Sequence, residues 1–143
     1  KGRVAELHTL AQERDITFLV PGGSSTFERW DSFILLPHHG QYYHPDLVHA
    51  SDAIVSKAGY STVAEAYAAG IPFGYISRAR FREASVMANF IAQKMQGFEI
   101  PEWAFNDGSW VQRAPDLLQF HRQNSPPPNG AELLAAAIIH FLK

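Results

Sequence analysis

The residues whose types and spacing suit chemistry crowd into the stretch from Asp52 to Gly70, which holds Lys57, Gly59, Ser61, Thr62 and Glu65. An apolar strand from Ala53 to Val55, a tight polar turn carrying Gly59 and a helix beginning at Ser61 or Thr62 would set backbone N–H donors at a helix N-terminus. An anion is favoured there, because those donors lack intrahelical partners and the helix dipole is positive at that end. Gly59 would supply a positive φ or a close backbone approach. Ser56, Ser61 and Thr62 add hydroxyl donors and Lys57 a flexible positive charge, so the set suits a diphosphate. Glu65 lies three residues beyond Thr62, where its carboxylate can accept hydrogen bonds from the two hydroxyls of a ribose. Phosphate and ribose together specify a nucleotide. A structural pattern competes for the same residues. Thr62-Val63-Ala64-Glu65 also matches a capping box, in which Glu65 bonds back to the Thr62 N–H, and Lys57 is then a solvated charge.

Other constellations are weaker. His38, His39, His44 and His49 form a local cluster and neutral imidazole ligates metals, yet no Cys or acidic partner at zinc-site spacing completes a set, so surface-loop histidines are expected. Pro21-Gly22-Gly23-Ser24-Ser25-Thr26 follows a strand as a phosphate loop does. It lacks the Lys and the spacing of a Walker motif and reads as a strand-ending turn. Phe27, Trp30, Phe33, Tyr42 and Tyr43 offer a stacking surface or, more commonly for such clusters, a core or domain interface, and Trp103, Phe105 and Trp110 carry the same ambiguity. No Ser-His-Asp arrangement is supported by spacing. Asp31, Asp46, Asp52 and Glu65 fall on separate elements, so no carboxylate pair for glycoside hydrolysis is evident.

Alternating strands and helices must position these groups. Val4, Leu7, Leu10 and Ala11 recur at helical spacing, and Ile16 to Val20 then form an apolar run closed by Pro21-Gly22-Gly23. Phe33 to Leu36 give a second strand ended by Pro37, and Pro45 to Ala50 have the length of a single helical turn before the strand at Ala53. Ser61 to Ala69 form a helix stopped by Gly70 and Pro72, followed by a buried strand from Phe73 to Ile76. Glu83 to Met95 form a helix with Val86, Met87, Phe90, Ile91 and Met95 on one face and Gly97 as its C-cap. Phe98 to Ile100 suit a short strand and Ala114 to Phe120 a helix. Ser125-Pro126-Pro127-Pro128-Asn129-Gly130 is a linker, and Ala131 to Leu142 form an amphipathic helix through Leu134, Ile138, Phe141 and Leu142. Strands apolar on both faces and separated by helices predict an α/β, Rossmann-like fold: a parallel sheet with helices on both faces and ligands at the carboxyl ends of the strands. Residues 1–124 then make the nucleotide-binding domain, 125–130 the linker, and 131–143 a helix packing on that domain or on a neighbouring one.

Composition narrows the partners. The chain has 143 residues, 46% of them hydrophobic, enough for one core of its own. With 12 basic and 14 acidic residues and a net charge of −2 it carries no basic field for nucleic acid. The absence of Cys excludes disulfides and thiolate metal sites and fits a reducing compartment, so a cytoplasmic location is expected. No run approaches the roughly 20 apolar residues of a membrane span, and no signal peptide opens the chain. Lys1 begins directly in a helical pattern without Met, which suggests a piece of something longer.

Tyr43-His44-Pro45-Asp46-Leu47, Ala50-Ser51-Asp52, the run from Lys57 to Ala66, Gly70-Ile71-Pro72-Phe73, Arg78 and Phe81-Arg82-Glu83 together resemble the donor-binding C-terminal domain of GT-B glycosyltransferases. The nearest likeness is to the glycosyltransferase-like half of arabinokinase-type proteins and their stand-alone relatives. Lipid-linked muropeptide N-acetylglucosaminyltransferases are further off. The resemblance runs from about Tyr43 to Ile100. It implies one half of a GT-B fold, with a nucleotide-diphosphate sugar, usually a UDP-sugar, in the cleft between two Rossmann-like domains, and no metal or other cofactor. By position Gly59, Ser61 and Thr62, with Lys57, would face the diphosphate and Glu65 the ribose. Arg82, Glu83 and Asn89 stand where related enzymes use Gln and Asn to read the donor sugar, with Glu83 in the place of the Gln. The segment after Leu36, with His38, His39 and Gly40, corresponds to the region that frames the base through backbone groups.

The family's first strand, with its Gly-rich turn, has no counterpart before Lys1. The acceptor domain, where the general base sits, is absent as well, so this chain is expected to be inactive alone, with its acceptor unknown. Two other functions suit the same fold: a nucleotide-sugar hydrolase or epimerase, and a non-catalytic module fused to a sugar kinase.

Overall fold

The computed structural model describes residues 9–76, 82–123 and 130–142; the expectations for Val4, Leu7, Arg78, Phe81 and most of the 125–130 linker lie outside them. Helical residues 9–14 (α1) bury Ala11, and Asp15, at a φ of 53°, turns the chain so that the Ile16 N–H reaches the Ala11 carbonyl at 2.9 Å. Three strands follow: β1 (Phe18–Ser24), β2 (Glu28–Trp30) and β3 (Phe33–Pro37). They pair in the order β1-β3-β2, with β1 parallel and β2 antiparallel to β3. β2 has no apolar run, which is why its Glu-Arg-Trp sequence does not read as a strand; a two-residue turn with Asp31 in the left-handed region holds it against β3. Pro21-Gly22-Gly23 does not end β1 as expected. The register slips between Pro21 and Ser24, so the segment is a bulge inside the strand, with Gly22 at a φ of 72°.

The second half of the fold is a regular alternation. α2 (His44–Ala50) leads to β4 (Ile54–Lys57), α3 (Tyr60–Ala69) to β5 (Phe73–Ile76), and α4 (Ala84–Lys94) to β6 (Gly97–Glu99). These strands form an all-parallel sheet in the order β4-β5-β6. The strands are thus divided between two three-stranded sheets, with the antiparallel β2 occupying the edge of β3 not paired to β1.

Period-two alternation along β5 divides the core. Phe73 and Tyr75 face one cluster with Val48 of α2, Val63, Ala66 and Ala69 of α3, and Met87 and Ile91 of α4. Ile76 faces a second cluster with Ile100 and Ala104, backed by Trp110. Helices thus cover both faces of the β4-β5-β6 sheet, and the fold is mixed α/β and Rossmann-like. All four residues of β5 are buried, as a strand covered on both faces requires.

Several boundaries depart from expectation. Only Met87 and Ile91 of the predicted apolar face of α4 are buried, whereas Val86 is 61% exposed. Met95 rather than Gly97 caps α4, its N–H bonding the Ile91 carbonyl, and Gly97 opens β6. After β6 come α5 (Glu102–Asp107) and a 3-10 turn (Ser109–Arg113), and the helix expected over Ala114 to Phe120 starts at Ala114 but is a short α6 (Ala114–Leu117). The last helix, α7, spans Gly130–Phe141.

Candidate functional site

Each βα unit of the parallel sheet starts its helix at the carboxyl edge of the strand before it, so the N-termini of α3 and α4 share that edge. α2 ends only a few residues before β4 begins, which directs its own N-terminal His44 towards the same side.

α3 begins at Tyr60, one or two residues earlier than expected, and its N-cap is Gly59. Gly59 has a φ of −99°, in the extended region, so the expected positive φ is not found. A Cβ added there would meet nothing within 4 Å, which leaves the space before the helix open to close approach. The Gly59 N–H is used by the Lys57 carbonyl at 2.8 Å, and the first helical bond runs from the Val63 N–H to the Gly59 carbonyl. The N–H groups of Tyr60, Ser61 and Thr62 have no partner among the described residues, and no side chain caps the helix. Three donors and two hydroxyls are thereby presented together, beside Lys57 at the exposed end of β4.

The capping-box alternative is overturned. Thr62 is inside the helix rather than at its cap, and Glu65 turns away from it to α2, where Glu65 Oε2 lies 2.5 Å from His44 Nδ1. A carboxylate has no proton to give, so Nδ1–H is the donor. Both side chains keep contact with solvent, at 46% exposure for His44 and 25% for Glu65.

His44 belongs to a second feature, a cleft of about 290 Å³ at the carboxyl ends of β1 and β3. Pro21 and Gly22 form its wall on β1, and Leu36 and Pro37 its wall on β3. The connecting segment contributes His38, Gly40 and Tyr42, and α2 closes it with His44 and Leu47. Gly22 is required by this geometry, since a Cβ there would fall 2.9 Å from His38 Nδ1 and its φ disfavours a side chain. The segment expected to frame a base does line the cleft, and His44 joins that cleft to Glu65. Sequence patterns did not disclose this link.

Arg82 and Glu83 precede α4 and are exposed, as is Asn89 on its surface; none has a hydrogen bond or ion pair with α3 among the described residues. Of the four clustered histidines, His38 and His44 line the cleft, while the His49 carbonyl accepts from Arg122. No group of three His, Asp or Glu able to hold a metal comes together among the described residues. No helix in the described residues is long and apolar enough to cross a membrane.

No protein-family model and no solved structure matches the chain. Among curated proteins it is similar to L-arabinokinase of Arabidopsis thaliana, with 32% identity over 120 residues. The match covers 82% of this chain and 11% of that protein, so the chain spans about a tenth of the length of the curated relative it matches.

Proposed function

We propose that this chain is a nucleotide-diphosphate-sugar binding domain, with a UDP-sugar as its ligand, and that it forms the donor half of a glycosyltransferase-type unit. The observation that carries the proposal is the continuity of the site. Unpaired N–H groups at the start of a ten-residue helix, a carboxylate within that helix and a cleft beside it are joined through His44. In this arrangement the Tyr60, Ser61 and Thr62 N–H groups, the two hydroxyls and Lys57 hold the diphosphate. Glu65 takes the ribose hydroxyls, and the 290 Å³ cleft takes the base. In a transfer reaction the same N–H groups would stabilise the departing diphosphate, while a second domain would supply the base and the acceptor. Arg82, Glu83 and Asn89, at and beyond the start of α4, are the candidates for reading the donor sugar.

The similarity to a stretch of a protein named for sugar phosphorylation favours a second reading, in which the domain binds the sugar nucleotide without transferring it and serves a larger kinase-type protein. Hydrolysis or epimerisation of the nucleotide sugar has no observation that favours it over these two.

Calorimetric titration of the full-length protein with UDP, GDP, dTDP and their sugars tests the binding step common to both. Uridine nucleotides should bind selectively, and Glu65→Ala should weaken them by about 1–3 kcal/mol, the range for hydrogen bonds to a charged group left unmade. Equal binding by the wild type and Glu65→Ala would remove the ribose role. Product analysis with donor present then separates transfer, which needs an acceptor, from binding alone.

A further inference from the structure

We infer that His44 is a positioning residue that holds Glu65 in the rotamer used to recognise the ribose diol, an inference that rests on the nucleotide reading of the site. His44 and Glu65 are 21 positions apart and meet because α2 and α3 pack side by side, with Val48 and Val63 in the same core cluster. The backbone of His44 is itself fixed. Pro45 occupies the first turn of α2, the Asp46 and Leu47 N–H groups bond the Tyr43 carbonyl, and Ser51 Oγ donates to the Leu47 carbonyl at 2.8 Å.

Nδ1–H of His44 engages one oxygen of Glu65, Oε2, and the other has no partner among the described residues. A glutamate side chain has much rotamer freedom to lose on binding, and a contact that orders it beforehand lowers that cost for the ligand. His44 also lines the cleft. One residue therefore links the surface proposed for the base to the carboxylate proposed for the sugar hydroxyls. The rival account is an ordinary exposed ion pair of negligible consequence, as such pairs commonly are. The two accounts differ in what they predict for ligand discrimination.

The test compares UDP with 2′,3′-dideoxy-UDP by calorimetry on the full-length protein. The wild type should prefer the diol, and Glu65→Ala should abolish the preference. His44→Ala should reduce it about fivefold or more, the scale of coupling between contacting residues, and should add nothing in the Glu65→Ala background. His44→Asn should restore it, because the Asn Nδ2–H stands the same number of bonds from the backbone as Nδ1–H. Far-UV circular dichroism should be unchanged in all variants, since both side chains are solvent-facing.

If His44→Ala keeps the wild-type preference while Glu65→Ala loses it, the inference fails and the nucleotide reading stands. Tighter binding of UDP alone by His44→Ala, and so a larger preference for the diol, also overturns it, since His44 would then be competing with the diol for Glu65. A wild type that binds UDP without preferring the diol removes the ribose role and this inference together. No binding of either nucleotide by the wild type defeats the nucleotide reading itself.

Discussion

Tyr75 lies in β5 against the first core cluster, 7% exposed, and its partner across the parallel ladder is Glu99 of β6. Burial pushes its phenol above the ordinary value, and the negative charge of Glu99 adds to the shift. Both causes disfavour the phenolate in the folded state. The unfolded chain therefore releases its proton first, near pH 10, while the folded protein keeps it. Since the folded state then binds more protons, stability is intact below that pH and falls as pH rises towards the folded value. Urea unfolding of wild type and Tyr75→Phe across this alkaline range should show a fall in the wild type that is smaller in the variant, and parallel curves would contradict it. Legibility at this scale was uneven. The types and spacing of Gly59, Ser61, Thr62 and Glu65 marked the helix start, because an N-terminus is a local feature. The partner of Glu65 was not legible, since it depends on how two helices pack. The competing capping-box pattern is not realised because Tyr60 begins the helix and leaves Thr62 inside it.

Among the elements, residues 121–123 act as a strap across the amino edge of the parallel sheet. The His121 N–H bonds Gln96 Oε1 before β6, Arg122 donates to the His49 and Ser51 carbonyls at 2.9 and 2.7 Å before β4, and the Gln123 N–H bonds the Gly70 carbonyl at 2.8 Å before β5. Gly70 also ends α3 in the left-handed region, at a φ of 67°, and a Cβ there would stand 2.4 Å from the Gln123 carbonyl oxygen. Gly70→Ala should therefore cost about 2–4 kcal/mol, adding left-handed strain to displacement of backbone that has little freedom to move. Arg122→Ala loses two solvent-exposed hydrogen bonds and should cost only about 1 kcal/mol. Chemical denaturation of both variants checks the ranking; equal costs would contradict it, and a reversed order would show that the strap, rather than the cap, is the stronger constraint. Gly70 as the stop of α3 was readable, as was β5, whose Phe73–Ile76 bounds agree with its apolar run. The strap and β2 were not, because carbonyl acceptors and hairpin pairing leave no hydrophobic period behind.

At the scale of the whole molecule, the chain exposes 10090 Å², against about 7,400 Å² for a compact monomer of its 16.0 kDa mass. α7 contributes to the excess. None of its side chains is buried, and Leu133, Leu134, Ile138 and Ile139 are between 50% and 63% exposed. Apolar residues along it do follow helical spacing, so the element itself was legible; its packing on this domain or a neighbouring one was an expectation that periodicity cannot decide. A helix of about 12 residues is marginal in water on its own, and tertiary burial ordinarily supplies the stability of such an element. Since α7 buries no side chain here, ending this chain at Gln123 should leave the unfolding free energy from urea titration unchanged to within about 0.5 kcal/mol, the usual effect of altering surface away from the core. The denaturant slope, which tracks the surface newly exposed on unfolding, should also change little. A loss beyond about 1 kcal/mol with a smaller slope would mean instead that α7 buries its apolar face on this same domain, since that is the area such a helix withdraws from water. If the unfolding free energy holds and α7 gains protection from hydrogen exchange only beside a further domain or a second chain, its Leu and Ile residues cover a surface outside this chain.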